Sequence, residues 1–565
     1  MLEDSSEKKL IQETKLGPRL VKKTEKVKVH LGYTKYTVIK EICQELGWNI
    51  VSEDKDWDLL WTDSAVTPEK LCKMKPYQRI NHFPGMSALH RKDNLARNLM
   101  KLKKHLPEEF TYFPETWLLP REMSDLKACS RNYKATYIIK PQASCQGRGI
   151  FLIKNPDQLN PESRYVAQRY IQKPFLLDGL KFDFRVYVLV MGTDPLRIYL
   201  YEDGLVRFAT ETYKSPTKTN LKQQYIHLTN YSINKYNQKF NSTDKEKGHK
   251  RSLKSVLSNL KEKGYDTENL LSQIKDIVIK TLMCVQPNLS HIYKACQPEF
   301  HPNSICFELL GFDILLDSNF KLWLLEVNHT PSFRTDSEID YTIKKGLLEN
   351  TLKLLKLRRK DKRIYTSRLK TKLLKRQLGR STKDFRVKER KRALSLQEKR
   401  AQWEKKHATG FELIYPNSNY EKVQEVSTKL WEDWTGVSKT PTTKLKPNFA
   451  FKTVASSRST SYNPTGKRLQ RFIDTKGSFK GEATQFSSSR NLAKETDEFF
   501  DRLSKPKRTA TPLQNQFFPN IHVDPNINFS VTKHLPIAII KSLKSNLRRN
   551  EEPAKGNLPL ISDTQ

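Results

Sequence analysis

The sequence predicts an α/β (α+β) fold in four parts: a small N-terminal module, a strand-rich centre, a basic helical extension and a disordered C-terminal tail. Three observations predict it. Strand and helix patterns alternate between Val27 and Trp61, and extended runs crowd together between Tyr137 and Ala209. Beyond about His407 the composition shifts to Ser, Thr, Asn, Pro and Lys without periodicity. The 565 residues leave room for several domains at ~150 residues each. With 37% apolar and 29% charged residues, a folded part joined to polar disordered stretches is expected.

Residues 1–26 are polar and are expected to be disordered. The module of residues 27–130 opens with a strand at Val27–Tyr33. Ile39, Ile42, Cys43 and Leu46 then lie on one helix face that ends at Gly47, and Asp58–Trp61 forms a second strand. Leu95, Leu99, Leu102 and Leu106 line an amphipathic helix over Asp93–Leu106. The centre, residues 131–355, carries extended runs at Tyr137–Lys140, Ile150–Ile153, Tyr165–Arg169, Phe182–Val190, Arg197–Tyr201 and Leu205–Ala209. A helix follows over Thr267–Val285, then runs at Phe312–Leu316 and Leu322–Val327 around a turn at Asp317-Ser318-Asn319. Residues 356–407 form the extension, and 408–565 are expected to be mostly disordered.

Several classes are excluded. The longest strictly apolar run, Val186–Met191, is far shorter than the ~20 residues of a spanning helix, and the first residues lack the apolar core of a secretion signal. Seven cysteines without a CxxC pair argue against a disulfide framework or structural zinc and fit a reducing, cytosolic setting. Charge is unevenly spread: of the net +39, residues Lys356–Lys406 carry +17 in 51 positions, from 22 basic and 5 acidic side chains. Such a block repels itself and needs an anionic partner, with Leu369, Leu373, Leu374 and Leu378 marking a long basic helix or a helix pair. It also reads as a localisation or nucleic-acid tract, although it lacks interleaved aromatic platforms and any groove-reading motif.

Three stretches carry chemistry. In the first, Tyr137–Ile153, an extended run ends at Lys140, and Gly147 and Gly149 flank Arg148 before a second run. Glycine allows close backbone approach to an anion while Lys and Arg supply charge, yet the same pattern also describes an ordinary hairpin. In the second, Leu324-Leu-Glu-Val-Asn328, Glu326 and Asn328 share one strand face. A four-residue turn around Ser318–Lys321 sets Asp313 opposite Glu326. Two carboxylates and an amide oxygen are hard ligands that suit Mg²⁺; a solvent-facing polar stripe is the alternative. In the third, Lys181–Val190, strict alternation places Lys181, Asp183 and Arg185 on one face, as a salt-bridge ladder or as the lining of a site. Arg207 and Thr229-Asn230-Tyr231-Ser232 add polar groups nearby.

In this order, the segments resemble the ATP-grasp fold and, within it, the tubulin–tyrosine ligase-like family of amino-acid ligases. The matching stretches are Lys140-Pro, Gln146-Gly-Arg-Gly-Ile, Gln168-Arg-Tyr-Ile171, Lys181-Phe-Asp-Phe-Arg, His227-Leu-Thr-Asn230, Phe307-Glu-Leu-Leu-Gly-Phe-Asp313 and Leu325-Glu-Val-Asn-His-Thr-Pro-Ser332. Asn81-His-Phe-Pro-Gly and Arg91-Lys-Asp-Asn-Leu-Ala-Arg-Asn are similar to the family's N-terminal motifs, so the likeness covers residues 27–355. The basic segment resembles the microtubule-binding extension of polyglutamylases, with the nearest likeness to chain-elongating, α-tubulin-preferring enzymes.

The resemblance implies roles. Lys140, Gln146, Gly147, Gln168, Arg169, Tyr170, Ile171, Lys181, Phe182, Asp183, Thr229 and Asn230 match positions that cradle ATP. Asp313, Glu326 and Asn328 match Mg²⁺ ligands, and Arg207, Tyr231, Ser232 and Lys344 match positions that hold free L-glutamate. Lys140, Arg185 and Glu326 are the expected catalytic residues. The implied reaction passes the γ-phosphoryl of ATP to an acceptor carboxylate and lets a glutamate amine attack the acyl phosphate. The implied partner is tubulin or the microtubule, through its acidic tails. No membrane or nucleic-acid partner is expected, a monomer is expected, and the resemblance implies a place in the cytoplasm and cytoskeleton, with the cilium, axoneme or basal body as further candidates. A glycine or tyrosine ligase on the same scaffold, or a non-catalytic microtubule-binding protein, are the competing readings.

Overall fold

The computed structural model describes residues 25–142, 147–241, 244, 247–298, 304–378 and 382–436. The disorder expected for the first residues and for most of the tail concerns chain outside these. Four parallel strands form the first sheet: β1 (Lys28–Tyr33), β2 (Asn49–Val51), β3 (Leu59–Thr62) and β4 (Arg79–Ile80), in the order β2-β1-β3-β4. The Thr37–Glu45 helix crosses between β1 and β2, and its buried Val38, Ile39, Ile42 and Cys43 pack with Leu347, Leu348 and Leu352 of the Glu338–Leu354 helix. This is the expected βαβ module, because an apolar stripe at helical spacing must cover the sheet beside it.

A second, antiparallel sheet holds β5 (Thr116–Leu118), β6 (Tyr137–Pro141), β7 (Phe151–Ile153) and β8 (Tyr165–Arg169) in the order β5-β8-β6-β7, closed over Leu126, Tyr137, Ile139 and Ile153. The third and largest sheet contains β9 (Leu176–Leu177), β10 (Leu180–Thr193), β11 (Leu196–Phe208), β12 (Lys250–Ser252), β13 (Glu308–Leu316), β14 (Leu322–Asn328) and β15 (Phe411–Tyr415). Its spine runs β12-β11-β10-β13-β14, with β9 paired to β10 and β15 to β11. The two runs expected at Arg197–Tyr201 and Leu205–Ala209 are one continuous strand, β11. The bare Cα of Gly204 permits this, since a Cβ there would meet the Arg185 carbonyl oxygen at 2.4 Å.

The faces of β10 and β11 decide where the site lies. Phe182, Phe184, Val186 and Val188 join Val206 and Phe208 in one apolar core, under the Thr267–Met283 helix. On the opposite face Tyr187, Leu189, Tyr199 and Leu205 belong to a second core. Lys181, Asp183, Arg185 and Arg207 occupy the far end of that same face, so the polar patch continues an apolar layer instead of facing open solvent. The motif at Asn81 fastens the first sheet to the third. Asn81 exchanges hydrogen bonds with the Thr62 backbone, His82 Nδ1 lies 2.6 Å from Glu308 Oε1, and the Phe83 N–H donates to Glu308 Oε2.

Two expectations need correction. The chain beyond 408 does not lose its structure there: β15 and the Glu421–Thr435 helix cover the third sheet and its helices. Phe411, Ile414, Tyr415 and Val423 are buried, Ser427 Oγ donates to the Met283 carbonyl, and Lys101 Nζ donates to that of Leu430. The reason is packing: Val423, Val426 and Leu430 make a short apolar stripe within a polar composition. The basic extension is a helix pair, Lys360–Gln377 and Thr382–His407, but it is not wholly a free surface. Arg359 pairs with Asp56 and Asp58, Lys362 pairs with Asp56, and Arg400 is buried against Glu404 and the carbonyls of Leu354 and Leu355. Among the described residues no helix is long and apolar enough to cross a membrane.

Candidate active site

Strand alternation brings Lys181, Asp183 and Arg185 to one face of β10, and antiparallel pairing sets Arg207 of β11 across from Asp183 and Asp313 of β13 across from Arg185. Asp183 accepts from Arg207 Nε at 2.8 Å and Nη2 at 2.7 Å, and from Thr229 Oγ1 at 2.8 Å. Arg207 Nη2 also lies 2.8 Å from Asp313 Oδ2, and Arg185 grips Asp313 through Nε at 2.5 Å and Nη2 at 3.0 Å. The charges therefore form a ladder and line a site at once. Burial would raise the pKa of Asp313; Arg185 and then Arg207 overcome it and hold the carboxyl well below the usual carboxylate range.

Asp313 lies opposite Glu326, as expected, but not through the expected turn. The loop between Leu316 and Leu322 has five residues, which alone would offset the two carboxylates. A β-bulge at Leu325 restores the register: Ile314 pairs with Leu324, and the next pair is Asp313 with Glu326. Asp317 stabilises the loop by accepting from the Asn319 and Lys321 N–H groups and from Trp323 Nε1. Asn328 Nδ2 lies 3.2 Å from Glu326 Oε1 and 3.5 Å from Asp313 Oδ2, so three oxygen-bearing side chains meet. Burial, then the Asp313 charge, pushes the Glu326 carboxyl above its ordinary value, while Lys92 and Lys140 pull it down. A close carboxylate pair carrying this cost is a fitting seat for a divalent cation, and half a turn of the Asn328 amide adds a third oxygen. Among the described residues no group of three or more His, Cys, Asp or Glu side chains is placed to hold a metal.

Two buried amines belong to the same polar cluster: the Glu326 and Asp313 charges act on Lys140, and those of Asp183 and Lys140 act on Lys181. Lys140, at the end of β6, donates to Gln168 Oε1 at 2.7 Å, and Gln168 in turn donates to Thr116. Lys181 donates to the Tyr170 hydroxyl at 3.0 Å and to the His227 carbonyl at 2.7 Å, with the Tyr170 ring 4.4 Å from the amine. Burial brings Lys140 down to about 8, against the pull of Glu326, and Lys181 down to about 7, against that of Asp183. Both ammonium groups hydrogen-bond only neutral atoms among the described residues, which leaves room for an anion. His227 completes the arrangement: burial, then the Lys181 charge, lowers its pKa to about 4, so the neutral ring donates from Nε2 to the Asn220 carbonyl and accepts at Nδ1 from Tyr170. Gly147, at φ +76°, closes onto the Asn230 loop, where a Cβ would meet Ile233 at 2.8 Å and Asn230 at 3.1 Å.

The remaining positions divide. Gln146 lies outside the described residues. The Arg169 side chain is on the far face of β8, paired with Glu115 at the surface, and Phe182 is sealed in the core, so neither side chain reaches the site. Ile171, two residues beyond β8, is half-buried. Tyr231 donates to Asp336 at 3.3 Å, and Ser232 follows it on the same short helix. Lys344 donates to the Arg334 carbonyl and pairs with Asp340 at 2.7 Å. Arg207 cannot offer its Nε–Nη2 fork to a substrate carboxylate, because Asp183 occupies both atoms; Nη1 is what remains. Sequence reasoning missed Lys250, which pairs with Asp340, sits opposite Arg207 on β12 and lies 4.1 Å from the Tyr231 ring centre. A basic residue in a three-residue strand, beside another at Arg251, carries no periodicity that singles it out. It also missed Lys92, whose charge acts on both Lys140 and Glu326.

Residues 70–364 match the family model described as the tubulin-tyrosine ligase family. The chain is 48% identical over 437 residues to a probable beta-tubulin polyglutamylase of Tetrahymena thermophila, covering 74% of this chain and 36% of that protein. It is 44% identical over 401 residues to human tubulin polyglutamylase TTLL6, covering 70% and 45% of the two chains. To human tubulin polyglutamylase TTLL7 it is 43% identical over 373 residues, covering 64% and 42%. The chain thus spans less than half the length of each of these relatives.

Proposed function

The chain belongs to the tubulin-tyrosine ligase family, and we propose that it is a tubulin polyglutamylase that uses ATP to attach free L-glutamate to glutamates of tubulin C-terminal tails. One observation carries the reading: two buried lysines without carboxylate partners lie in one polar cluster with a close carboxylate pair, beside a glycine packed onto the Asn230 loop. An anion that also brings a divalent cation satisfies both halves, and a nucleoside triphosphate with Mg²⁺ is such an anion. The names of the relatives supply the tubulin substrate and the polyglutamylase chemistry.

In this reading Lys140 and Lys181 bind the phosphates, with Gly147, Gln168, the Tyr170–Ile171 backbone, Thr229 and Asn230 shaping the nucleotide cleft. Asp313, Glu326 and Asn328 would hold Mg²⁺, which neutralises phosphate charge when bound. Arg185 and Arg207 keep Asp313 ionised and aimed. An amide cannot form from a carboxylate at neutral pH without activation, so the γ-phosphoryl passes to the acceptor carboxylate. The amine of glutamate then attacks the acyl phosphate, forming the C–N bond and releasing phosphate. Such a transfer needs positioning and charge neutralisation more than a protein nucleophile. Arg207 Nη1, Lys344, Tyr231 and Ser232 hold the incoming amino acid, and cationic partners favour an acidic side chain over glycine or tyrosine.

The exposed charges of the basic helix pair dock on the acidic microtubule lattice and concentrate the enzyme on its substrate. The finer form of the proposal is elongation of existing glutamate chains on α-tubulin by a monomer, at cytoplasmic, ciliary or basal-body microtubules. The name of the Tetrahymena relative points to β-tubulin, so both tails belong in the assay. The test is incubation of microtubules with ATP, Mg²⁺ and each of glutamate, glycine and tyrosine. Incorporation of glutamate alone is expected, and preferential incorporation of glycine or tyrosine would overturn the choice of amino acid.

A further inference from the structure

Two cysteines that play no part in the nucleotide cleft meet where the first and third sheets join. Cys72 lies on the Pro68–Lys73 helix between β3 and β4, and Cys296 ends the Gln286–Cys296 helix ahead of β13. Their side chains are in hydrogen-bonding contact, although more than two hundred positions separate them in the sequence. The surrounding structure holds the two helix ends together. Gln297 Nε2 donates to the Leu71 carbonyl at 2.6 Å and to that of Met74 at 3.4 Å, on either side of Cys72. Leu71, Met74 and Cys296 are buried in the same apolar core. Both thiols are free, but Cys72 is exposed while Cys296 is buried. Burial, then the Cys72 charge, pushes the Cys296 thiol up to about 12, so Cys72 is the member that reacts first.

A buried thiol alone packs as a small, inert apolar group; one touching an exposed thiol can be oxidised through it. We propose that Cys72 and Cys296 form a reversible disulfide that fastens the first sheet to the third under oxidising conditions. The Cys72 thiolate attacks one sulfur of a small disulfide such as oxidised glutathione, forming a mixed disulfide and expelling one thiolate. Cys296 then gives its proton to solvent and attacks the Cys72 sulfur, expelling the second thiolate. Two protein thiols are oxidised, the small disulfide is reduced to two thiols, and the protons the cysteines lose are those the expelled thiolates take up. The bond falls on a seam already closed by the backbone. The Ile80 N–H donates to the Ile305 carbonyl at 3.1 Å, and the Phe307 N–H to the Ile80 carbonyl at 3.0 Å. Glu308, which binds His82 and the Phe83 N–H, follows directly at the start of β13.

The test is oxidation of the full chain with oxidised glutathione at pH 8, followed by peptide mass spectrometry without reduction and by thermal melting. A peptide pair joined through Cys72 and Cys296 is expected. Melting should rise by roughly 3–8 °C, fall back with dithiothreitol, and show no such rise in Cys72→Ser. Thiols left unpaired, glutathione retained on Cys72, or a link from Cys296 to Cys306 would overturn the proposal. A Cys72–Cys296 link that leaves melting unchanged would contradict the fastening role.

Discussion

At the scale of single residues, the proposal rests on charges placed where each serves another. Glu326 is the sharpest case. Its ionised form is disfavoured in the folded state, so at pH 7 Glu326→Gln should leave the melting temperature of the free protein unchanged or raised. The same variant should lose the stabilisation given by ATP with Mg²⁺ and lower ligase activity by ~100-fold or more. Lys140 and Lys181 predict a proton balance. With values brought down to about 8 and about 7, both are partly neutral in the free protein at pH 8, and phosphate contact favours their charged forms. Nucleotide binding at pH 8 should therefore take up protons and weaken from pH 7 to pH 9, measurable by calorimetry in buffers of different ionisation enthalpy. Uptake equal to zero would place the phosphates elsewhere. The charged face of Lys181, Asp183 and Arg185 was legible from strict alternation, because period two leaves a strand no other arrangement. Lys250 was not, because its importance arises from what other segments bring beside it.

Elements explain why some expectations held for a different reason than the one given. The opposition of Asp313 and Glu326 follows from a five-residue loop and a bulge, not from a four-residue turn, and a bulge leaves no mark that alternation can reveal. The chain after the basic helices shows the limit of reading composition: polar surroundings hide β15 and the Glu421–Thr435 helix, whose few apolar side chains complete the core. Ile414→Ala should accordingly cost about 2–4 kcal/mol of stability, seen as a lower denaturation midpoint, although it lies far from the cleft. For the same reason, cutting the chain at Leu355 would remove core as well as charge. Neutralising exposed Lys370, Lys388, Lys391 and Arg392 is the cleaner variant, since it spares Arg359, Lys362 and Arg400. It should weaken co-sedimentation with microtubules several-fold and flatten its salt dependence while leaving ATP-dependent stabilisation intact.

For the whole molecule, the described residues build three sheets, and the proposed chemistry lies at the polar end of a layer of the third whose other end is core. That placement keeps the charged ladder rigid, and the basic pair is held against the same body by Arg359 at its start and Arg400 near its end. The α/β class and the main sheets were visible in the sequence because apolar periodicity survives without knowledge of partners. How the sheets join, through Asn81, His82 and Glu308, was not visible, because it depends on residues more than two hundred positions apart. The most direct measurement is mass spectrometry of tubulin tails after incubation of microtubules with this chain, ATP, Mg²⁺ and glutamate. The account predicts added glutamates on the tails that require ATP and vanish with Glu326→Gln. Tails left unmodified by the unaltered chain, or modified equally by Glu326→Gln, would contradict it.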